Sequence, residues 1–335
     1  MTSTTKGLRQ STDFNLSACN LFTAVGSIDV LPSLLELNLY EDVFGDSISG
    51  EILIQDATAL LSRYSFSGTE FLQIVLKKTS DDNYSYSRNF RVYKLNRRVF
   101  NDDNESEIFS LMFCSEEFML SEQYRICKSF KGKPISDIIS YIFKNFLKIS
   151  SSGKAVTIEP TTGIYDFILP NKKIFETINW LSSYAQNQNS VGDYIFFENS
   201  KGFYFTSLSN LFKNTPYTTY SYDPNNVTTN MNQMVNNVSD FEVLNSFDTL
   251  AGTKNGSFAN RVISLNVLQR KANTSAGVFN YKTYFNNNKT LNPNPVINDY
   301  QNRLGGKMFE MPPASIPGLE TGSLKLVPGN AGDKK

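Results

Sequence analysis

The sequence predicts a mainly β protein with an α+β insert: two antiparallel β domains flank and support a helix-containing domain. Three observations predict it. Short apolar strands separated by Asn/Asp/Gly turns fill the first third. Two amphipathic helical stripes lie between residues 124 and 205. Strand-like segments then return and run to the C-terminal tail. At 335 residues, with 40% hydrophobic and 13% aromatic content, the chain can pack two or three domains. The expected division is a flexible N-terminus over 1–12, a β domain over 13–118, the insert over 119–237, a second β domain over 238–328 and a disordered tail over 329–335.

In the first β domain, Ser49-Gly50 precedes the apolar strand Glu51-Ile-Leu-Ile-Gln. Asp56 follows as a cap for a brief helical turn, because its carboxylate can accept from the free N–H groups of a helix start. Phe71-Leu-Gln-Ile-Val-Leu is the next strand, and Asp81-Asp82-Asn83 reads as a turn cluster. Phe90–Leu95, Arg97–Phe100, a turn at Asn101–Asn104 and Glu107–Cys114 complete the pattern. About six such strands in one hundred residues predict a barrel or a sandwich.

The insert carries the clearest periodicity. Ile135, Ile138, Ile139, Ile142, Phe143, Phe146 and Leu147 recur at steps of three and four, as one helix face requires. Pro134 sits at the start, where its missing N–H costs nothing. A strand over Ala155–Ile158 and a segment Tyr165–Leu169 lead to a second helix. Its expected N-cap is Asn171 and its stripe is Ile174, Ile178, Leu181 and Ala185, flanked by Phe175 and Trp180. Trp180, the sole tryptophan, reads as a core residue beside that stripe and not as a ligand platform. Tyr194–Ser207 reads as a hairpin turning at Gly202.

Beyond it, Tyr217–Tyr222 reads as an edge strand within an Asn/Thr-rich link. Phe241–Phe247 and Arg261–Gln269 read as strands, Ala272–Gly277 as a turn, and Ile316–Gly322 as a turn feeding a closing strand through Val327.

Composition excludes more chemistry than it suggests. The chain has no histidine, which removes Ser-His-Asp and Cys-His catalysis and every His-ligated metal site. Lys+Arg and Asp+Glu balance at 32 each, with no basic run of the kind nucleic-acid binding needs. Cys19, Cys114 and Cys127 are odd in number and far apart, so they read as small buried hydrophobes and not as a disulfide framework.

The adjacent acids Asp81/Asp82, Asp102/Asp103 and Glu116/Glu117 read as solvated turns, since a hydrolase needs two carboxylates across a cleft. Asp13, Asp56, Asp137, Asp166 and Glu176 read as caps. No phosphate-cradling or nucleophile-elbow motif occurs, and Gly305-Gly306-Lys307 is too short a glycine run to serve as one. The aromatic and basic residues from Tyr84 to Arg98 read as a strand face with ion pairs. No signal peptide or apolar run long enough to span a membrane is present in the sequence. The expected lists of catalytic, cofactor-binding and metal-binding residues are therefore all empty.

Several segments, in this order along the chain, resemble a known family. Ser49-Gly-Glu-Ile-Leu-Ile-Gln-Asp and Phe66-Ser-Gly-Thr-Glu-Phe-Leu look like the first barrel of baseplate hub proteins from contractile-tailed bacteriophages. Phe130, Gly132, Asp137 and Ile138 match a segment of the related VgrG proteins, with a different spacing from Arg125. Asp166–Phe205 resembles the next VgrG segment. Ala259-Asn-Arg-Val-Ile-Ser-Leu and Ile316-Pro-Gly-Leu-Glu-Thr-Gly resemble the later barrel. The Asn-rich loops and the absence of a fused spike depart from VgrG.

The resemblance implies two tail-tube-like β-barrels and a homotrimer that adapts a sixfold tail tube to a threefold spike around a channel for DNA and tape measure. It implies a spike or needle protein below, tube or tube-initiator proteins above, tape-measure and wedge contacts, no membrane insertion, no catalysis, assembly in the host cytoplasm and a place in the virion baseplate. A glycan-binding adhesin module and the hub of a phage-derived injection system are the alternatives.

Overall fold

The computed structural model describes residues 14–328, apart from 65, 80, 101–105, 150–151, 189–190, 217–218, 223–236, 239, 243–247, 267–269, 274–276, 282–300, 308–309 and 314. It divides into two compact units, Met1–Ser239 and Asp240–Lys335.

The first unit opens on a seven-stranded antiparallel sheet built from β1 (Phe14–Phe22), β2 (Ser27–Asp29), β3 (Leu34–Tyr40), β4 (Ser49–Asp56), β5 (Phe71–Lys78), β6 (Asp81–Phe100) and β7 (Glu107–Ser115). Its strand order is β2-β1-β5-β6-β7-β4-β3. The two edge strands follow one another in the chain and are joined by a 3-10 turn, Leu31–Ser33, that touches both β1 and β4. The sheet is therefore curled, with its edges drawn toward one another, as a twisted sheet of this width tends to be.

Alternation supplies its inner face. Along β4, Gly50, Ile52, Ile54 and Asp56 are buried while their neighbours are not. Ile52 and Ile54 join Leu21, Leu72, Ile74, Phe90, Phe109, Leu111 and Phe113 in one core. Each large apolar side chain buried this way stabilises the fold by roughly 1.5–3 kcal/mol. Gly50 is dictated by that packing, since a Cβ there would lie 2.3 Å from both the Asn38 carbonyl and the Phe113 ring. The Asp56 carboxylate accepts from the backbone N–H of Thr58 at 2.7 Å and of Leu60 at 2.5 Å, ahead of the single-turn helix α1 (Leu60–Arg63), whose N-cap position is Ala59.

Two sequence expectations change here. Asp81 pairs with Lys78, so it already belongs to β6 and the turn lies one step earlier. Phe90–Leu95 and Arg97–Phe100 are one strand, and bulges between Val92/Lys94 and Leu95/Arg98 absorb the irregular pattern. Residues 101–105, including Asp102 and Asp103, lie outside the described residues.

The insert begins with α2 (Glu116–Gln123), β8 (Arg125–Ile126) and β9 (Ser129–Lys133). Next come α3 (Ile135–Ile142), a π-helical turn over Phe143–Leu147, and β10 (Ala155–Ile158). It continues with β11 (Tyr165–Ile168), β12 (Lys172–Lys173), α4 (Ile174–Ser182), β13 (Tyr194–Asn199), β14 (Gly202–Ser207) and the single turn α5 (Leu208–Leu211). The expected stripes are the core: Ile135, Ile138, Ile139, Ile142, Ile174, Ile178, Leu181 and Ala185 are all but fully buried, against Phe196, Phe203 and Phe205 of the hairpin. Phe146 is the exception, 38% exposed, because the π turn rotates it off the stripe.

β10 adds in parallel beside β14, where Gly202 faces Ala155. A Cβ on Gly202 would lie 2.1 Å from the Ala155 carbonyl, and its φ of +149° also favours glycine. Asn171 does not cap α4. It has φ +53°, Lys173 occupies the N-cap, and the Asn171 carbonyl accepts from Arg125 at 3.0 Å. Ser221–Tyr222 forms β15, paired in parallel with β16 (Asn237–Val238).

In the second unit, β17 (Ala259–Asn266) pairs antiparallel with β18 (Lys271–Asn273) and β19 (Val278–Asn280). The closing strand, β20 (Leu324–Pro328), pairs with β17 in parallel. Ala272 and Asn273 are thus strand and not turn. Phe241 is not in a strand, and 243–247 and 267–269 fall outside the described residues. A short helix, Thr249–Asn255, is capped by the Asp248 carboxylate, which accepts from the Ala251 N–H at 2.8 Å.

Candidate assembly surface

Among the described residues, no group of three or more His, Cys, Asp or Glu side chains could hold a metal ion. Burial pushes the Cys19 thiol up to about 11 and the Cys114 thiol up to about 12, which keeps both protonated and inert. Cys127 is exposed and free. Trp180 is half-buried and packs edge-on against Phe167 and Tyr184 at 5.4 and 5.3 Å, so it belongs to the insert core. The Gly305-Gly306-Lys307 loop is a turn in which the Asn302 carboxamide oxygen accepts from the Leu304 and Gly306 N–H groups, both at 3.0 Å.

Two of the acids expected as caps act otherwise. Asp166 accepts from the Gly132 N–H at 2.7 Å, and Glu176 pairs with Lys172. Asp13 lies outside the described residues.

The Glu116/Glu117 pair departs from expectation. Glu116 is half-exposed and pairs with Arg91 at 3.1 Å; that guanidinium also lies 3.4 Å above the Phe71 ring. Glu117 is buried. Its carboxylate meets Lys154 Nζ at 2.6 Å, and the same ammonium meets Glu198 at 2.7 Å. The three side chains are 4%, 7% and 1% exposed, so this is a dry ionic node and not a solvated turn. The second Glu198 oxygen accepts from Ser115 Oγ at 2.5 Å and from the Ile48 N–H at 3.1 Å.

Glu198 therefore ties the β4 and β7 ends of the curled sheet to the hairpin of the insert. Burial raises its carboxyl above the usual carboxylate range, against the opposing pull of Lys154 and then of the Ser115 and Ile48 hydrogen bonds. No local sequence signal announces the node, because its members are 37 and 44 residues apart.

The surface that stands open is the second half of β6. β5 stops at Phe71, opposite Arg91, and from Tyr93 onward β6 has β7 on one side only. Every residue from Tyr93 to Phe100 is exposed. The strip alternates apolar and basic: Tyr93, Leu95, Val99 and Phe100 with Lys94, Arg97 and Arg98. Arg98 pairs with Glu107 at 2.6 Å, which fits the expected ion-paired face. An unpaired strand edge with exposed apolar residues is a template for another strand, and proteins that stay single usually cover or break such edges.

No family model and no curated protein sequence matches the chain. Solved structures do. The tail protein from Neisseria meningitidis MC58 superposes with a TM-score of 0.52 at 11% identity, covering 93% of this chain and 72% of that one. The 43 kDa tail protein of prophage MuSo2 from Shewanella oneidensis gives 0.37 at 7% identity, over 56% of this chain and 53% of that one. An Escherichia coli component of the type VI secretion system, described as structurally similar to the T4 bacteriophage tail proteins gp27 and gp5, gives 0.35 at 8%, over 52% and 45%. The first of these carries the comparison, and at that identity it speaks of fold. Along nearly its whole length the chain shares the fold of that Neisseria tail protein.

Proposed function

We propose that this protein is a structural subunit of a tail baseplate hub: a non-enzymatic homotrimer that adapts a sixfold tube to a threefold spike and lines part of the central channel. The observation that carries the reading is the open edge of β6, set in a tail-protein fold. A ring of copies gives such an edge a partner, and head-to-tail contacts are what a closed ring is made of. Two similar barrels in each of three chains, the arrangement the resemblance implies, would present six positions to a tube. On this reading the partners are a spike or needle below and tube proteins above, with the tape measure passing between, and the protein resides in the virion.

Light scattering on the purified protein tests it. A particle of three times the 37.8 kDa chain mass is expected. Leu95→Glu with Val99→Glu, both on exposed side chains, should reduce it to monomer without unfolding it. A wild-type chain that stays monomeric at its highest soluble concentration, and stays so when mixed with its cognate spike, overturns the proposal.

A further inference from the structure

The β6 edge leaves a second surface unexplained, on the far side of the insert core. β9 and β11 form an isolated two-stranded ribbon. Its inner residues, Phe130, Phe167 and Tyr165, pack on that core. Ile168 stands opposite Ser129 and is 73% exposed; Ile164, just before β11, is 76% exposed. Two isoleucines this bare and four residues apart are unusual on a surface that stays in water. Around them, residues 125–133 contribute Arg125, Lys128, Lys131 and Lys133 and no acid.

These cations are not neutralised locally. Among the described residues none of the four makes an ion pair. Glu122 of α2 and Glu176 of α4 are paired with Lys173 and Lys172. Lys128 is held in place instead, with its ammonium 4.8 Å from the Tyr141 ring centre and 5.9 Å from that of Phe130. Asp166, the one acid on the ribbon, accepts from the Gly132 N–H and keeps its charge, which leaves the four cations in excess.

We infer that the β9–β11 ribbon is a docking surface for an acidic, aliphatic segment of another protein. The chemistry selects that occupant. Unpaired lysines call for carboxylates, and the isoleucines call for apolar side chains between them; a nucleic acid would satisfy only the charges. A ribbon-to-ribbon contact with a second copy is disfavoured, because both ribbons carry the same positive charge.

Fluorescence anisotropy with a labelled peptide of alternating glutamate and valine tests this on the full-length protein. A same-length all-glutamate peptide and a single-stranded DNA oligonucleotide are the comparison probes. The alternating peptide should bind, and bind more weakly as salt rises. Lys131→Glu with Lys133→Glu, and separately Ile164→Ser with Ile168→Ser, should each weaken it about tenfold. Neither pair should move the melting temperature or the light-scattering mass, since all four side chains are exposed. No binding of the alternating peptide overturns the inference. So does equal binding of all-glutamate or DNA, which would mark a general polyanion surface, and so does a change of oligomeric state in the isoleucine variant, which would mark a contact between copies. The last result would leave the hub reading intact, and monomeric wild-type protein would leave the docking inference intact.

Discussion

Lys154 is the residue on which the buried ionic node depends. It is the sole cation between two buried carboxylates on different elements, Glu117 of α2 and Glu198 of β13. Removing one member of a dry ion pair leaves charge with nothing to balance it, at a cost of about 3–5 kcal/mol. Lys154→Met, which keeps most of the stem packed over Phe203, should therefore lower the melting temperature of the first unit by about ten degrees, measured by calorimetry.

Glu198→Gln should cost much less, because it removes the surplus negative charge and keeps acceptor capacity. The same variant isolates a pH effect. Burial raises the Glu198 carboxyl, so between its usual value of 4.5 and its folded value the native state holds a proton that the unfolded chain has lost. Its contribution to stability falls as pH rises through that window and stays low above it. Melting temperatures taken across acidic pH should show the fall in wild type, and Glu198→Gln should flatten it. An identical slope in both proteins would assign the effect elsewhere.

At the scale of elements, legibility tracked how local the cause was. α3 and α4 were plain in the sequence because burial of one helix face repeats every three or four residues, and the buried positions are those the stripe names. The Asp56 contacts with the helix start were legible for the same reason, their partners lying two and four residues on. Asn171 misled because its type suits an N-cap, yet it serves equally well at positive φ, which is how the chain uses it. β6 was read in pieces because its bulges break the period of two, and only its pairing with β5 and β7 shows one strand. The ionic node was illegible, since Glu116-Glu117 looks the same whether or not a lysine waits across the fold.

The β6 edge carries its own prediction. In the monomer, amides from Tyr93 to Phe100 that point away from β7 should exchange with deuterium at once; on assembly they should become protected, as a mass-spectrometric time course on isolated and assembled protein would show. Unchanged exchange in an assembled ring would move the subunit contact to another surface.

At the scale of the whole molecule, the two units differ in how they are stabilised. Every buried hydrophobic residue among those described lies at or before Phe205, in the first unit, and most belong to its two cores. The described residues of the second unit hold a four-stranded sheet and an Arg261–Glu320 pair at 2.5 Å, but no buried apolar side chain. Leu250, Leu304 and Leu326 are more than half exposed there. A sheet only partly covered, as that of β17 is among the described residues, is marginal in water, because ordering its backbone costs about 1–2 kcal/mol per residue.

Calorimetry of the free chain should accordingly show two transitions, the lower from residues 240–335. Tryptophan fluorescence should report only the upper, because Trp180 sits in the insert. In a hub, the missing burial would come from neighbouring subunits, so assembly should raise the lower transition far more than the upper. A single cooperative transition in the free chain, followed equally by heat absorption and by Trp180, would show that the second unit draws its stability from within the protomer. The reason to expect an obligate ring would then rest on the β6 edge alone.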